Sequence, residues 1–327
     1  MKAFAVDTYG EQARFMEQEI EPGPLAPDEI RIKVEASSIN PLDTKMFTGK
    51  VAVAPENGVL QGDVTGTVVA IGTDVTAFEV GDAIIAYGGG LGKRGGALAE
   101  QMDVPAVLAI KKPDALAWEV AGALPIIGLT AMEALKERAK VEPGMRVYVA
   151  GGTGGVGHLV VQLAKHFGCD VTASASSEEK AAWLQKRGVR IHLYKQETAE
   201  ALLERLGHDG FDVIIDTVGG DHLQESFKLA RDRGRIVSIA TRTTQDLTPM
   251  HSKALALEAM FVALPLLKGK QEEMKTQSDH LQSVANLAAN GTIEVVIEKT
   301  VERTIDSLQA AYEAFDNESH FGKVVVR

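Results

Sequence analysis

Two stretches hold residue types that could do chemistry. In Ser37-Ser-Ile-Asn40-Pro-Leu-Asp43-Thr-Lys45, an amide and an ammonium stand close together. Asn40 could donate to a carbonyl oxygen, and Lys45 could deliver a proton or stabilise a developing oxyanion. The same residues also make a plain turn. Asn40 and Asp43 are equally well explained as Asx caps, and Lys45 as a surface residue. The second stretch is Ala150-Gly-Gly-Thr-Gly-Gly-Val-Gly157, with five glycines in the seven positions 151–157. Glycine permits positive φ and close approach of a diphosphate, and a helix that starts there offers free N–H groups. A glycine-rich turn with no ligand is the alternative.

What surrounds the glycines decides between these. The β-branched run 147–150 predicts a strand, and apolar spacing over 156–166 predicts a helix, which is the setting a phosphate fingerprint requires. The alternation continues with strands at 170–175, 190–193, 212–216 and 235–240, and helices at 177–187, 198–206 and 222–230. That rhythm predicts a largely parallel sheet with ligands beyond the carboxyl ends of its strands. The second strand ends at Ser174 without the carboxylate that a ribose 2′-hydroxyl needs. Ser174 and Lys180 would suit a 2′-phosphate, and Tyr194 could flank it, so NADPH is favoured over NADH. Glu178 and Glu179 fall in a first helical turn, where acids cap favourably. Backbone groups of 216–220, including Val218, and of 240–244, beginning with Ala240, should line the cofactor crevice by position. Arg242 could meet a phosphate or solvent. Asp212 and Asp216 bracket an apolar strand and need no catalytic role.

The chain before this region has another texture. Strands predicted at 29–36, 59–71 and 83–87, with frequent glycine turns and hardly any helix, suggest a compact β-rich module. Tyr87-Gly-Gly-Gly-Leu-Gly-Lys-Arg-Gly-Gly96 reads as a mobile loop. Residues 118–135 have helical spacing interrupted by Gly122, Pro125 and Gly128, which predicts two helical segments. Beyond the sheet, 255–264 reads as a strand that could form the edge of a homodimer seam or lie inside the core. A helix at 274–289, a strand at 293–297, a helix at 304–315 and a strand at 321–326 close the chain. The last strand has no phosphate loop of its own and is expected to return to the first module.

The net charge of -11 argues against nucleic-acid binding, because the short clusters Lys93-Arg94 and Lys186-Arg187 do not offset it. A single cysteine, Cys169, excludes an intrachain disulfide and a cysteine-rich zinc site. The N-terminus reads as a strand rather than a secretory leader. No apolar run reaches membrane-spanning length on this reading, the nearest being 254–267. A cytoplasmic protein without a membrane partner is expected.

Several motifs together resemble the medium-chain dehydrogenase/reductase superfamily, in its zinc-free quinone oxidoreductase-like branch. They are Asn40-Pro-Leu-Asp43, Gly62-Asp-Val-Thr-Gly66, Gly81-Asp82, Gly96-Ala-Leu-Ala-Glu100, Ala123-Leu-Pro125 with Thr130-Ala131, the glycine loop, and Gly322-Lys323-Val-Val. The resemblance implies an α/β protein with a GroES-like catalytic domain over 1–121, a Rossmann domain over 122–264, and a segment 265–327 returning to the first. It implies Asn40 near the nicotinamide, Thr130 as a cofactor contact, and Gly154, Gly155 and Val156 as pyrophosphate-binding amides. Ser174, Lys180 and Tyr194 would hold the 2′-phosphate. The cysteine and His-Glu pair of zinc-dependent relatives are replaced by Ile39/Asn40 and Asp63-Val64. Many quinone reductases of the branch have tyrosine where Lys45 stands, and Asp43-Thr-Lys45 looks more like alkenal and enone reductases. The expected activity is hydride transfer from NADPH to a quinone or an α,β-unsaturated carbonyl, both small and electron-poor. A binding protein that kept the fold and lost catalysis would use the same loop.

Overall fold

The computed structural model describes residues 1–241, 243–317 and 320–327, so Arg242 lies outside the described residues. The chain divides into two compact units, Met1–Leu129 with Ala263–Arg327, and Thr130–Val262.

The first unit opens with strands β1 (Lys2–Val6), β2 (Phe15–Glu19) and β3 (Glu29–Ile39), then helix α1 (Pro41–Phe47). Strands β4 (Asp63–Ile71), β5 (Ala83–Tyr87), β6 (Gln101–Pro105) and β7 (Ala109–Lys111) follow, and α2 (Trp118–Met132) ends this part. The second unit runs β8 (Arg146–Ala150), α3 (Gly157–His166), β9 (Asp170–Ala175), α4 (Glu178–Gln185), β10 (Arg190–Leu193) and α5 (Ala199–Leu206). It continues with β11 (Phe211–Asp216), α6 (Asp221–Leu229), β12 (Ala230–Ser238), α7 (Thr248–Ser252) and β13 (Ala256–Ala259). The chain returns to the first unit with α8 (Leu264–Lys268), α9 (Gln271–Ala289), β14 (Ile297–Val301), α10 (Ile305–Phe315) and β15 (Lys323–Val326).

In the first unit the sheet order is β14-β15-β3-β4-β5-β7, with β6 also paired to β3. Alternation along β3 buries Ile30, Ile32 and Val34 against Val64, Val68, Ile84 and Met102. Each such side chain contributes about 1.5–3 kcal/mol relative to exposure. The last strand, β15, pairs antiparallel with β3, Val325 opposite Ser38.

Five sequence expectations change in this fold, four of them local. The turn expected around Asn40 opens a helix. Asn40 is extended (φ -126°, ψ 157°), Pro41 follows at the first helical position, and Asp43 Oδ2 accepts the Asn40 N–H at 2.8 Å. The loop expected to be mobile is tightly packed. Tyr87 to Leu91 are buried, and a Cβ on Gly89 or Gly96 would stand 2.3 Å from the Gly95 carbonyl oxygen or 2.1 Å from that of Leu60. Glycine serves close backbone approach there. Trp118–Met132 is one helix, not two, and it runs on into a π-type turn at Glu133–Arg138. Finally, Ile293 and Val295 are buried, but pairing with β15 starts only at Ile297, so their alternation marks an extended lead-in.

By length and composition the helical run Trp118–Arg138 could also cross a membrane, with mean hydropathy 1.3, which corrects the expectation that no stretch reaches that length. Of that window 78% is buried inside the protein, which is how a core helix reads.

In the second unit the order β10-β9-β8-β11-β12-β13 is parallel throughout. With β8 as the first strand of this unit, that is the doubly wound order 3-2-1-4-5-6, with the switch point at β8. Tyr148, Phe211, Ile214, Phe227 and Ile236 pack one core. Among the described residues, strand β13 pairs only with β12 and forms an edge.

Candidate functional site

The glycine loop leaves β8 and is folded back by its own hydrogen bonds. Gly151 (φ +74°) donates to Ser174 Oγ at 2.8 Å, Gly152 donates to the Ser174 carbonyl at 3.1 Å, and Gly154 donates to the Gly151 carbonyl at 3.0 Å. The turn admits no side chain at Gly157, where a Cβ would lie 2.0 Å from the Gly151 oxygen. A Cβ on Gly154 would meet nothing closer than 3.4 Å. Among the described residues, the N–H groups of Gly155, Val156 and Gly157 have no acceptor. Successive unpaired donors at the start of α3, beside an open glycine, fit a diphosphate.

The expected cofactor residues divide. Gly155 and Val156 keep free amides, whereas the Gly154 N–H is spent inside the loop. Ser174 is buried and its Oγ accepts the Gly151 N–H, so it shapes the loop instead of facing solvent as an open 2′-phosphate contact would. Past it, Ala175, Ser176 and Ser177 supply no carboxylate, and Glu178 and Glu179 are exposed. Lys180 stands in the first turn of α4, its backbone N–H capped by Ser177 Oγ at 3.3 Å. Tyr194 follows β10, is 37% exposed, and meets His222 edge-to-face at 5.1 Å. Thr130 lies nearly buried in α2.

Val218 donates its N–H to Asp216 Oδ1 at 3.0 Å and leaves its side chain exposed. Asp216 also accepts from Gly219 N–H at 2.9 Å and from the Ser238 hydroxyl at 2.9 Å. The backbone at Gly219 is so close to Ala240 that a Cβ would stand 2.2 Å from the Ala240 oxygen. Asp216 therefore clamps together the ends of β11 and β12. A strand-end aspartate two residues before Val218 is an Asx-turn signal, and it is the one by which this clamp was legible in the chain. Asp212, by contrast, pairs with Arg231 at 2.5 Å.

In the first unit a polar cluster is buried where β3, α1, β4, α2 and β15 meet. Asp63 is fully buried and accepts the Ile126 N–H at 2.7 Å on one oxygen. On the other it accepts the Ser38 hydroxyl at 2.6 Å and Asn40 Nδ2 at 2.7 Å. Pro125, which lacks an N–H, and this Asp63 bond explain why α2 passes through its proline without breaking. Lys323 Nζ lies 3.8 Å from Asp63 and donates to the Ile39 carbonyl at 2.9 Å and to Asn40 Oδ1.

Burial pushes the Asp63 carboxyl up, with Lys323 and the donors opposing. Burial also raises Asp43, with the Asn40 N–H opposing and Asp63 adding to the rise. Burial lowers the Lys323 ammonium, against the pull of both carboxylates. Lys323 was legible only as part of a closing motif.

Asn40 was expected to present its amide to a reacting group. Its Nδ2 is held by Asp63 and its Oδ1 by Lys323, so it organises the entry to α1. Gln61 adds a strained element: at φ +74° it accepts from the Ser37 hydroxyl at 2.5 Å and donates to Tyr312 Oη at 3.1 Å. Lys45 is half-buried on α1, and its ammonium has no hydrogen bond or ion pair among the described residues.

Zinc does not fit this cluster. Its lysine is a cation, and the acceptor positions of Asp63 are filled by donors, whereas zinc needs several cysteine, histidine or carboxylate ligands together. No group of three or more such residues is gathered among the described residues.

Residues 26–114 match the alcohol dehydrogenase GroES-like domain, and residues 155–283 match the zinc-binding dehydrogenase family. A zinc-type alcohol dehydrogenase-like protein of Staphylococcus aureus (strain MSSA476) is 30% identical over 309 residues, covering 91% of this chain and 90% of its own length. An alcohol dehydrogenase superfamily protein from Novosphingobium aromaticivorans superimposes with a TM-score of 0.92 at 30% identity, covering 100% of this chain and 99% of its own. A quinone oxidoreductase of Pseudomonas syringae pv. Tomato DC3000 gives a TM-score of 0.86 at 25% identity, covering 99% of each chain.

Proposed function

Since the chain belongs to the medium-chain dehydrogenase/reductase superfamily of oxidoreductases, we propose that it is a zinc-independent, NADPH-dependent reductase of quinones or α,β-unsaturated carbonyl compounds. The observation that carries this reading is the run of three unpaired N–H groups, Gly155 to Gly157, next to a strand end without a carboxylate. When bound, NADPH supplies a hydride from its nicotinamide ring. The amides of Gly155, Val156 and Gly157 hold the diphosphate, and Lys180 with Tyr194 favours the 2′-phosphate. Thr130, the exposed Val218 side chain and Ala240 line the rest of the cofactor.

On the acceptor side, negative charge gathers on a carbonyl oxygen as the β-carbon or quinone ring is reduced. The unpaired ammonium of Lys45 stabilises that oxygen and gives it a proton. Asn40, Asp63 and Lys323 hold the start of α1 and thereby fix Lys45. Zinc-independence rests on the donor set of the cluster, and the quinone alternative on the likeness to a quinone oxidoreductase. A homodimer through the edge of β13 belongs to the same reading, and sedimentation as a monomer would remove it.

Stopped-flow oxidation of NADPH with a panel of enones and quinones tests the reaction. Tight NADPH binding with no acceptor accelerating its oxidation would refute the enzyme reading and leave a binding protein.

A further inference from the structure

A cavity of about 390 Å³ opens in the second unit, lined by residues of β8 and β10 and of α5 and α6. Its buried polar atoms are mutually satisfied: Tyr148 Oη meets His192 Nδ1 at 2.6 Å, and His192 Nε2 meets the Glu197 carbonyl at 2.9 Å. Two carboxylates of the lining are also engaged. Arg205 grips Glu197 through two bonds of 2.7 and 2.8 Å, and Lys228 holds Glu225 at 2.7 Å.

Three other lining residues are different. The Tyr194 hydroxyl, the Lys195 ammonium and the His222 ring have no hydrogen bond or ion pair among the described residues. With Glu197 and Glu225 held by cations of their own, these three groups are the donors the lining can offer an anion, and Glu200 is the acid they must offset.

Position narrows the anion's identity. Tyr194 follows the carboxyl end of β10, and His222 lies in the first turn of α6, just past the carboxyl end of β11. In the sheet these strands are separated by β9 and β8, and β8 ends in the glycine loop. The Tyr194–His222 ring contact, at 5.1 Å and 74°, therefore spans the strand ends where a parallel sheet receives a nucleotide. Its two rings offer flat apolar surface, and their polar tips are free.

We propose that His222 is a further cofactor-selecting residue: with Tyr194 and Lys195 it forms a subsite for the 2′-phosphorylated adenosine end of the dinucleotide. The proposal rests on the reading that the chain uses NADPH. Ser174, buried beneath the loop, leaves the phosphate to these donors and to Lys180. Asp221, next to His222 and exposed, has no pairing cation among the described residues, and it sets a limit on the gain.

Calorimetric titration of the full chain with adenosine 2′,5′-bisphosphate and with adenosine 5′-monophosphate tests this without any acceptor. The parent protein is expected to prefer the bisphosphate. His222→Ala should lower that preference roughly tenfold, the worth of one charge-assisted hydrogen bond, while leaving monophosphate affinity within about twofold. His222→Gln, which keeps a donor, should restore part of it, and far-UV circular dichroism should be unchanged in both variants. A parent protein with no preference would overturn the NADPH reading and this subsite with it. A preference that persists unchanged in His222→Ala, or an equal loss for both nucleotides, would overturn His222 alone.

Discussion

Asp43 offers a test of the buried cluster that does not depend on the reaction. Its carboxyl is 3% exposed, and burial, reinforced by Asp63, pushes it up to about 7 from an ordinary value of 3.8. The folded protein therefore keeps this proton to higher pH than the unfolded chain does. Stability from Asp43 is fully present below the unfolded value and is lost as pH rises through the folded one. Inside that window the two states differ by about one proton, so this group removes about 1.4 kcal/mol of stability per pH unit. Asp43→Asn still accepts from the Asn40 N–H but does not titrate. Asp63 and Lys323 are common to both proteins, so the difference reports Asp43 together with its interaction with them. Urea unfolding of both proteins from about pH 5 to about pH 6.5 should thus show the stability gap moving by about 2 kcal/mol in favour of the variant. Parallel curves, with a gap constant to within about 0.5 kcal/mol, would refute a carboxyl that holds its proton in the fold.

Other substitutions probe the remaining parts. Gly157→Ala drives a Cβ to 2.0 Å from the Gly151 oxygen; it should cost about 1–3 kcal/mol and abolish NADPH binding, read by thermal melting and by nucleotide fluorescence titration. Unaltered binding would mean that the loop geometry is not the cradle. Lys45→Met should lower kcat about a hundredfold with the NADPH dissociation constant unchanged, and equal loss of both would remove Lys45 from proton delivery. Lys323→Met strips the cation from two buried carboxyls and should destabilise by about 3–5 kcal/mol, with partial recovery in Lys323→Arg; a melting temperature equal to that of the parent would show that the cluster does not need its charge.

Local pattern was enough for the second unit. Strands and helices there alternate within short windows, the switch-point strand carries its glycines in sequence, and expected and observed elements differ mostly by a residue or two at their ends. The periodicities of 2 and 3.6 are local properties, so sequence carries them. The glycine loop and the absent strand-end carboxylate were legible for the same reason.

Tertiary structure decided the rest because the deciding partners are distant in sequence. Pro125 signals a break, yet the helix continues because Asp63, 63 residues earlier, accepts the next N–H. Asn40 reads as a donor for a substrate, yet Asp63 and Lys323, 23 and 283 residues away, consume its amide. Ser174 reads as a phosphate contact, yet it is buried with its oxygen accepting from a loop glycine 23 residues before it. In each case a residue's type sets what it can donate or accept. Which partner claims that capacity is fixed only when folding removes water and leaves the buried group no other choice.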